Sequence, residues 1–365
     1  MSTTPNNAAR PVEEGPRISV ELTNVCNLRC SYCCRDEDVL YHTPAAFFPV
    51  GLLRAILRDA RDACGVRTAA FTGGEATIHP RFDEIVAMVA EEGMRFGFVT
   101  NGWHFDRVHP ALMRHRESVT VVGFSLDGAT REAHDRWRGE GSFVRLMRGA
   151  ARCHMSGIPF LFKVGIRQDT VPQLQEIVLL AARLGARAVH FAHLLPTSSG
   201  AEAELSLSHA GRTAVEQEIA ILAKIFKLEI GVAAGYYNVS EEAPCTALRG
   251  TSCNVDYRGR LTLCCNLSGY RGASEESDVV ADLNREPFAS AYPRLRRLAD
   301  EQMGRRRAAI EARRAGGAEI DLYTGSPCLF CLQSFGKIPW REAAAGSRSL
   351  PVLPTSQTGA RDVRA

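Results

Sequence analysis

The order of apolar runs and amphipathic segments between Arg17 and Leu195 constrains the fold more than any other feature of the chain. Runs rich in β-branched and aromatic residues alternate there with segments whose apolar residues recur at the helical period. Six such runs are predicted as strands: Ile18–Leu22, Thr68–Phe71, Phe96–Thr100, Val119–Leu126, Phe160–Ile166 and Ala188–His193. Strands that alternate with helices form parallel sheets, so the sequence predicts an α/β protein with a partial (β/α)6 barrel of the TIM type.

The helices between these strands begin and end with residues that are typical of helix termini. Pro49 opens a segment that ends before Gly65, and His79-Pro80 opens one that ends before Gly93. Proline suits the first helical turn because its missing N–H needs no partner there, and glycine readily adopts the left-handed conformation that ends a helix. These signals support the same alternating architecture.

Three thiols follow the first predicted strand: Cys26, Cys30 and Cys33, in a C-x3-C-x2-C arrangement. In parallel α/β folds the functional groups collect beyond the carboxyl ends of the strands. Thiolates are the ligands of iron-sulfur clusters and of zinc. Three thiolates hold three corners of a four-iron cluster and leave the fourth iron open, whereas a structural zinc site needs a fourth ligand nearby. The spacing therefore favours the cluster.

Glycines and polar side chains follow the next strands at the same predicted edge. Gly73-Gly74-Glu75 follows the second strand, Asn101 follows the third, Ser125 and Asp127 end the fourth, and Arg138 lies beyond it. Glycine permits close backbone approach, a carboxylate accepts hydrogen bonds from an ammonium, and a guanidinium binds a carboxylate through two parallel hydrogen bonds. The same residues also have ordinary interpretations, because Asn-Gly and Asp-Gly are common turns and a single arginine is often a surface charge.

A second group of thiols lies in the C-terminal third of the sequence. Residues 254–263 alternate around an Arg-Gly turn, which predicts a β-hairpin with Cys264 on its second strand. Two thiols from the hairpin region and two from a Cys-x2-Cys turn can converge on one metal: Cys245, Cys264, Cys328 and Cys331. Four thiolates suit a four-iron cluster or a structural zinc ion. Cys253 and Cys265 are alternatives to Cys245 and Cys264.

The first cysteine motif, with Tyr32 before its third cysteine, resembles the cluster motif of the radical S-adenosylmethionine (SAM) enzymes. The resemblance implies that the three cysteines bind a 4Fe-4S cluster whose open iron chelates SAM. It also implies that SAM is cleaved reductively to a 5'-deoxyadenosyl radical. This radical would then abstract a hydrogen atom from an unactivated C–H bond of the substrate.

Further residues match this family at its strand ends. Gly73-Gly74-Glu75 matches the motif that holds the SAM amino group. Asn101, Ser125 and Asp127 match polar residues around the ribose and methionine portions of SAM, and the resemblance makes Arg138 the candidate for binding the SAM carboxylate.

The C-terminal cysteines resemble the auxiliary-cluster extension called SPASM/twitch in the same family. The Gly-x4-Cys spacing from Gly259 selects Cys264, and no cysteine follows Cys331, where the full SPASM pattern would continue. The resemblance is therefore to the twitch form, with one auxiliary 4Fe-4S cluster ligated by Cys245, Cys264, Cys328 and Cys331. A cluster with four thiolate ligands has no open iron for substrate, so the implied role is to accept an electron from the substrate radical.

The expected outcome is net two-electron oxidation of a small polar natural-product intermediate, such as a sugar or an aminocyclitol. The barrel begins at Arg17 without a preceding peptide-recognition domain, which favours a small molecule. Modification of a ribosomal peptide or protein is the alternative, and a non-catalytic iron-sulfur or zinc scaffold is an alternative of another class. Epimerisation would need a hydrogen-atom donor, for which Cys253 and Cys265 are candidates, although either fits a small core residue. A flavodoxin or ferredoxin-type protein is the expected electron donor.

Composition argues against several partners. The 44 basic and 41 acidic residues give a formal net charge of only +3, so neither nucleic acid nor a membrane surface is expected. Residues 1–16 lack the apolar region of a secretory signal, and no apolar run is long enough for a membrane span, which predicts a cytoplasmic protein. We expect a flexible N-terminus at 1–16, a radical SAM partial barrel at 17–200, a linker helix and auxiliary-cluster domain at 201–340, and a disordered tail at 341–365.

Overall fold

The fold is known from a computed structural model, which describes residues 16–35, 37–240, 245–271 and 276–344. The strands are numbered along the chain: β1 (Arg17–Glu21), β2 (Thr68–Thr72), β3 (Arg95–Thr100), β4 (Val119–Leu126), β5 (Phe160–Ile166), β6 (Ala188–His193), β7 (Glu229–Ala234), β8 (Ser252–Val255), β9 (Arg260–Thr262) and β10 (Val279–Asp282). They form one sheet in the order β10-β9-β8-β1-β2-β3-β4-β5-β6-β7. Strands β1 to β7 pair in parallel, each with the next, which confirms the predicted partial barrel.

The helices, numbered in the same way, are α1 (Val50–Cys64), α2 (Phe82–Glu91), α3 (Phe105–Arg114), α4 (Arg131–Arg138), α5 (Ser142–Ser156), α6 (Leu174–Leu184), α7 (Ser199–Leu205), α8 (His209–Ile225), α9 (Phe288–Ala315), α10 (Leu322–Gly325), α11 (Pro327–Ser334) and α12 (Pro339–Ala344). Gly65 ends α1 at a φ of 68°, as its position predicts. A short π-helix at Asp38–His42 follows the first cysteine motif. Within the described residues, every helix is too short or too polar to cross a membrane.

Alternate residues of β1 face opposite sides of the sheet, and this alternation separates the core from the interior of the barrel. Ile18 and Val20 are fully buried, and Cys253 on β8 is in register with Ile18. On the other face, Glu21 accepts a hydrogen bond from the Asn254 amide at 3.2 Å and pairs with Arg35 at 2.9 Å. Polar and charged side chains therefore lie on the face of the sheet that carries Glu21.

The C-terminal extension continues the sheet rather than forming a separate one. Strand β8 pairs with β1 in parallel and with β9 in antiparallel fashion, so the predicted hairpin is present. The prediction that Cys264 lies on its second strand is wrong, because β9 ends at Thr262. The Cys264 carbonyl accepts hydrogen bonds from the N–H groups of Leu267 and Ser268, and these bonds turn the chain out of the ladder.

The segments at both ends of the chain lie largely outside the described residues. This applies to 1–15 of the expected flexible N-terminus and to 345–365 of the expected tail. Arg341 to Ala344 belong to α12, so the expected disordered tail begins too early at 341. The order of α12 has a physical reason: Glu202 on α7 pairs with Arg341 and accepts a hydrogen bond from Trp340 Nε1 at 3.0 Å.

Candidate active site

The carboxyl ends of β1 to β4 surround one open cavity of about 120 Å³. Nine of the residues predicted for the cluster and SAM line it: Cys26, Cys30, Cys33, Gly73, Gly74, Glu75, Asn101, Ser125 and Arg138. The tenth, Asp127, lies behind Arg138 and pairs with it. Parallel strands bring these residues together although they are spread over more than a hundred positions in the sequence.

Gly73 and Gly74 hold the cysteine loop against β2. A Cβ atom at Gly74 would lie 2.1 Å from the Val25 carbonyl oxygen, and one at Gly73 would lie 2.4 Å from that of Thr23. The backbones are hydrogen-bonded at this approach: the N–H of Gly74 donates to Thr23 O at 2.9 Å, and the N–H of Glu75 donates to Val25 O at 2.8 Å. The two glycines therefore set the position of the loop that carries Cys26.

Glu75 is buried and held by four donors. Its Oε1 accepts hydrogen bonds from Thr77 Oγ1 at 2.5 Å, Thr77 N at 3.2 Å and Thr100 Oγ1 at 2.8 Å, and its Oε2 accepts one from Asn101 N at 2.7 Å. A carboxylate oxygen accepts about two hydrogen bonds, so Oε2 retains capacity for a further donor. This is the oxygen available to an ammonium group in the cavity.

Asn101 and Ser125 occupy the strand ends beside Glu75. Asn101 Nδ2 donates to Asn27 Oδ1 at 3.0 Å, and its Oδ1 accepts a hydrogen bond from Trp103 N at 2.9 Å. Ser125 lines the cavity and is in register with Lys163 on β5. Asn101 thus ties the cysteine loop to the β3 end, while the Ser125 side chain makes no comparable bond to any described residue.

Asp127 is the centre of a buried charge network. Its carboxylate accepts hydrogen bonds from Tyr32 Oη, from Arg138 Nε and, at 2.7 Å, from Arg167 Nη1. Burial raises the pKa of Asp127, but Arg138 and Arg167 outweigh burial and lower that pKa to about 2. Arg138 is therefore neutralised by Asp127, although its Nη2 also donates to Tyr32 Oη at 2.7 Å.

Three residues of this network were not predicted as site residues. Tyr32 belongs to the cysteine motif, and Arg167 follows β5 at the functional edge, so its position was the one available signal. His134 is fully buried, and its Nδ1 accepts a hydrogen bond from Asp127 N at 3.1 Å. Burial, assisted by Arg138, lowers the pKa of His134 to about 4, so the imidazole is neutral.

The three thiols share the cavity and influence one another electrostatically. Burial raises the pKa of Cys26 to about 12, and Glu75, Cys30 and Cys33 add to this effect. Across the described ranges, no three His, Cys, Asp or Glu side chains are already gathered at metal-binding distances. The donor set nevertheless suits an iron-sulfur cluster, because three soft ligands face one open space and the position of a fourth is free.

The four C-terminal thiols also approach one another. Three accept backbone hydrogen bonds: Cys328 from Gly235 N at 3.3 Å, Cys245 from Leu248 N at 3.4 Å and Cys264 from Asn266 N at 3.4 Å. Burial raises the pKa of Cys331 well above its usual value, with Cys245 and Cys328 as the nearest contributing thiols. Backbone N–H donors to thiolates are typical of iron-sulfur ligands, so the set fits the predicted auxiliary cluster.

Cys253 and Cys265 lie on opposite sides of the sheet. The Cys253 thiol is buried with Cys64 and Tyr292 in the layer formed by α1 and α9, away from the cavity. Cys265 faces Arg35 and Lys163 on the barrel side, and a hydrogen bond from Cys264 lowers the pKa of its thiol. Of these two thiols, Cys265 is the one on the barrel side of the sheet.

The partial barrel and the cysteine cavity at its strand ends are the features expected of a radical SAM domain. Residues 20–181 match the family described as the radical SAM superfamily. The protein therefore contains a radical SAM domain.

Known proteins resemble this chain over part of their length. It is 29% identical over 205 residues to the AdoMet-dependent heme synthase of Nitratidesulfovibrio vulgaris, which covers 53% of this chain and 55% of the relative. It is 27% identical over 175 residues to the antilisterial bacteriocin subtilosin biosynthesis protein AlbA of Bacillus subtilis, which covers 47% and 38% respectively. The chain thus spans about half, or less, of these curated relatives.

A solved structure shares the fold at lower sequence identity. Streptococcus suis SuiB bound to the precursor peptide SuiA superimposes with a TM-score of 0.62 at 14% identity, covering 76% of this chain and 64% of SuiB. The coverage extends beyond the radical SAM domain, so the likeness in fold includes part of the C-terminal extension.

Proposed function

We propose that this protein is a radical SAM oxidoreductase that binds a 4Fe-4S cluster through Cys26, Cys30 and Cys33. The observation that carries the proposal is that these three thiols line the same cavity as Glu75, at the carboxyl ends of the barrel strands. When bound, the cluster supplies the electron that cleaves SAM to methionine and a 5'-deoxyadenosyl radical. The protein supplies orientation and exclusion of water.

Each polar residue has a distinct part in binding SAM. Glu75 Oε2 accepts a hydrogen bond from the SAM ammonium, since its other oxygen is saturated by Thr77 and Thr100. Asn101 and Ser125 contact the ribose and methionine portions from the strand ends. Arg138 presents its remaining N–H groups to the SAM carboxylate, while Asp127 fixes the orientation of its guanidinium.

The second part of the proposal is that Cys245, Cys264, Cys328 and Cys331 bind an auxiliary 4Fe-4S cluster. Four thiolate ligands leave no site for substrate, so this centre exchanges electrons. The substrate radical would lose one electron to it, and the overall reaction would be a two-electron oxidation. Zinc at the same four thiols would instead make the extension structural.

The substrate class has two candidates. A small polar natural-product intermediate, such as a sugar or an aminocyclitol, follows from the sequence resemblance to twitch-type enzymes. The comparisons favour a ribosomal peptide, because SuiB holds a precursor peptide and AlbA acts in bacteriocin biosynthesis. An electron donor of the flavodoxin or ferredoxin type would serve either reaction.

Anaerobic reconstitution followed by reduction with dithionite tests the proposal. The wild type should release 5'-deoxyadenosine from SAM, and the Cys30→Ala variant should not. Iron and sulfide should fit two four-iron clusters. Failure of the iron-loaded wild type to cleave SAM would instead support a non-catalytic scaffold, and about four irons with bound zinc would contradict the auxiliary cluster. The enzyme should also be incubated with candidate peptides and with aminocyclitols. Only one of these two substrate classes should give a product whose mass is lower by two hydrogens.

A further inference from the structure

Helix α9 places an unpartnered amide in the core of the C-terminal extension. The Gln302 side chain is fully buried, and neither its Nε2 nor its Oε1 makes a hydrogen bond within the described residues. Buried polar groups of native proteins are almost always hydrogen-bonded, because water has been lost and nothing replaces it. The carboxamide therefore needs a hydrogen-bond partner, and the nearby thiol of Cys331 is the candidate.

A buried cation lies one helical turn further along the same face. Arg306 is only 3% exposed, and its Nη2 donates to the Gly325 carbonyl at 2.9 Å and to the Asn238 carbonyl, while its Nε is unpartnered. Its electrostatic neighbours include Cys331, Cys245 and Cys328. Within the part of the chain that the structure describes, the Arg306 guanidinium lies beside these thiols and forms no salt bridge with a carboxylate.

The four thiols differ in the kind of hydrogen-bond donor that lies beside them. Cys245, Cys264 and Cys328 each accept a backbone N–H, from Leu248, Asn266 and Gly235. Cys331 is faced by the Gln302 carboxamide, which opposes the effect of burial on the pKa of its thiol. The side chain of Gln302 thus occupies the position that a backbone N–H occupies at the other three sulfurs.

We infer that Gln302 and Arg306 are electrostatic positioning residues of the four-thiol site, where Gln302 donates an N–H···S hydrogen bond beside Cys331 and Arg306 supplies a buried positive charge. The inference rests on the proposed function in that the site must hold an iron-sulfur cluster. Reduction adds a negative charge to such a cluster, and nearby cations and N–H···S bonds stabilise that charge. The two residues therefore raise its reduction potential and suit it to accept electrons from a substrate radical.

A chain in which Cys26, Cys30 and Cys33 are all replaced by alanine isolates the second site for measurement. In this background, Arg306→Met should retain about four irons per chain and shift the electron-transfer equilibrium against reduction by about tenfold, or about 59 mV for one electron. Gln302→Leu should shift it in the same direction and remove one exchangeable-proton coupling from the electron-nuclear double resonance spectrum of the reduced cluster. Arg305→Met is the matched control, because Arg305 is exposed on the same helix.

Arg306→Lys separates charge from structure. It keeps the positive charge but not the geometry that binds two carbonyls, so its potential should stay near that of the parent even if its melting temperature falls. Unchanged potentials in iron-loaded Arg306→Met and Gln302→Leu would overturn the inference, as would equal shifts in Arg306→Met and Arg306→Lys. Zinc in place of iron in the parent chain would overturn the auxiliary cluster itself, and the metal content distinguishes that failure from the first.

Discussion

Arg167 Nη1 donates to Asp127 Oδ1 at 2.7 Å, and the side chains of both residues are buried almost completely. Asp127 also pairs with Arg138, so one carboxylate bridges two guanidinium groups behind the cysteine cavity. Arg167 pairs in addition with Asp169 at 3.0 Å. The network links the end of β4, the start of the β5–α6 connection and the cysteine motif through Tyr32. The side of the cavity that carries this network therefore contains buried charges of opposite sign that largely neutralise one another.

Removal of the Asp127 charge should therefore destabilise the whole barrel edge. Asp127→Asn leaves Arg138 buried without an anion and leaves Arg167 with Asp169 alone. Loss of one partner of a buried ion pair costs about 3–5 kcal/mol. Urea denaturation of the anaerobic protein should show this loss. Arg81→Ala, which breaks an exposed pair with Glu84, is the control and should leave the midpoint nearly unchanged. Equal effects of the two substitutions would contradict the compensated network.

His134 should make stability depend on pH in a defined window. Its folded pKa of about 4 lies below the ordinary value of 6.5, so the unfolded chain binds a proton more readily between these values. Stability is complete above pH 6.5 and should fall by about 3 kcal/mol as the pH drops to 4. His134→Asn keeps an acceptor for the Asp127 N–H but does not titrate. A difference in slope between wild type and variant, measured by denaturation at pH 4.5 to 7, tests this, and parallel slopes would refute it.

Gly74 should be essential for loading the first cluster. In Gly74→Ala the new methyl group would meet the Val25 carbonyl oxygen at 2.1 Å, so the cysteine loop must move. We expect iron bound at the first site to fall to a small fraction of the wild-type content. Gly51→Ala is a matched control in α1, because a Cβ there has no atom within 4 Å, and it should stabilise the helix by up to about 1 kcal/mol. Normal iron loading in Gly74→Ala would contradict this role.

Glu75 should govern SAM affinity without affecting the cluster. Glu75→Gln removes the negative charge that faces the ammonium, and hydrogen bonds to charged groups contribute about 1.5–3 kcal/mol. SAM binding measured by equilibrium dialysis should weaken by about 10- to 100-fold, while iron content stays at the wild-type value. Glu84→Gln, at an exposed position of α2, should bind SAM normally. Weakened iron binding with unchanged SAM affinity would contradict the prediction that Glu75 binds SAM rather than supporting the cluster.

Local sequence patterns were sufficient for the six strands between Arg17 and Leu195 and for the sheet edge at which the cysteines lie. The apolar runs from Arg17 to Leu195 depend on neighbouring residues alone, and Pro49 and Gly65 mark helix ends through their own backbone preferences. Because parallel strands carry functional groups at their carboxyl ends, the sequence alone was enough to assign Glu75 and Ser125 to one cavity.

Long-range contacts and buried polar faces could not be predicted in this way. Tyr32 and Asp127 are 95 residues apart, and nothing in either neighbourhood encodes their hydrogen bond. The buried face of helix α9 could not be predicted because Gln302 and Arg306 are polar residues on that face, so they interrupt the apolar periodicity that marks a buried helix face. Cys253 was a candidate donor by proximity in sequence, but strand alternation turns it to the opposite face from Asn254.

Cys245 and Cys253 should differ sharply in iron binding. Cys245 approaches Cys331 and accepts a hydrogen bond from Leu248 N, whereas Cys253 is buried between α1 and α9. Cys245→Ala should therefore lower the iron content from roughly eight to roughly four per chain, as expected for loss of one four-iron cluster. Cys253→Ala should retain all the iron, release 5'-deoxyadenosine normally and lose only a small amount of stability. Loss of iron from Cys253→Ala, with Cys245→Ala unaffected, would mean that Cys253 is the ligand and that β8 rearranges on cluster binding.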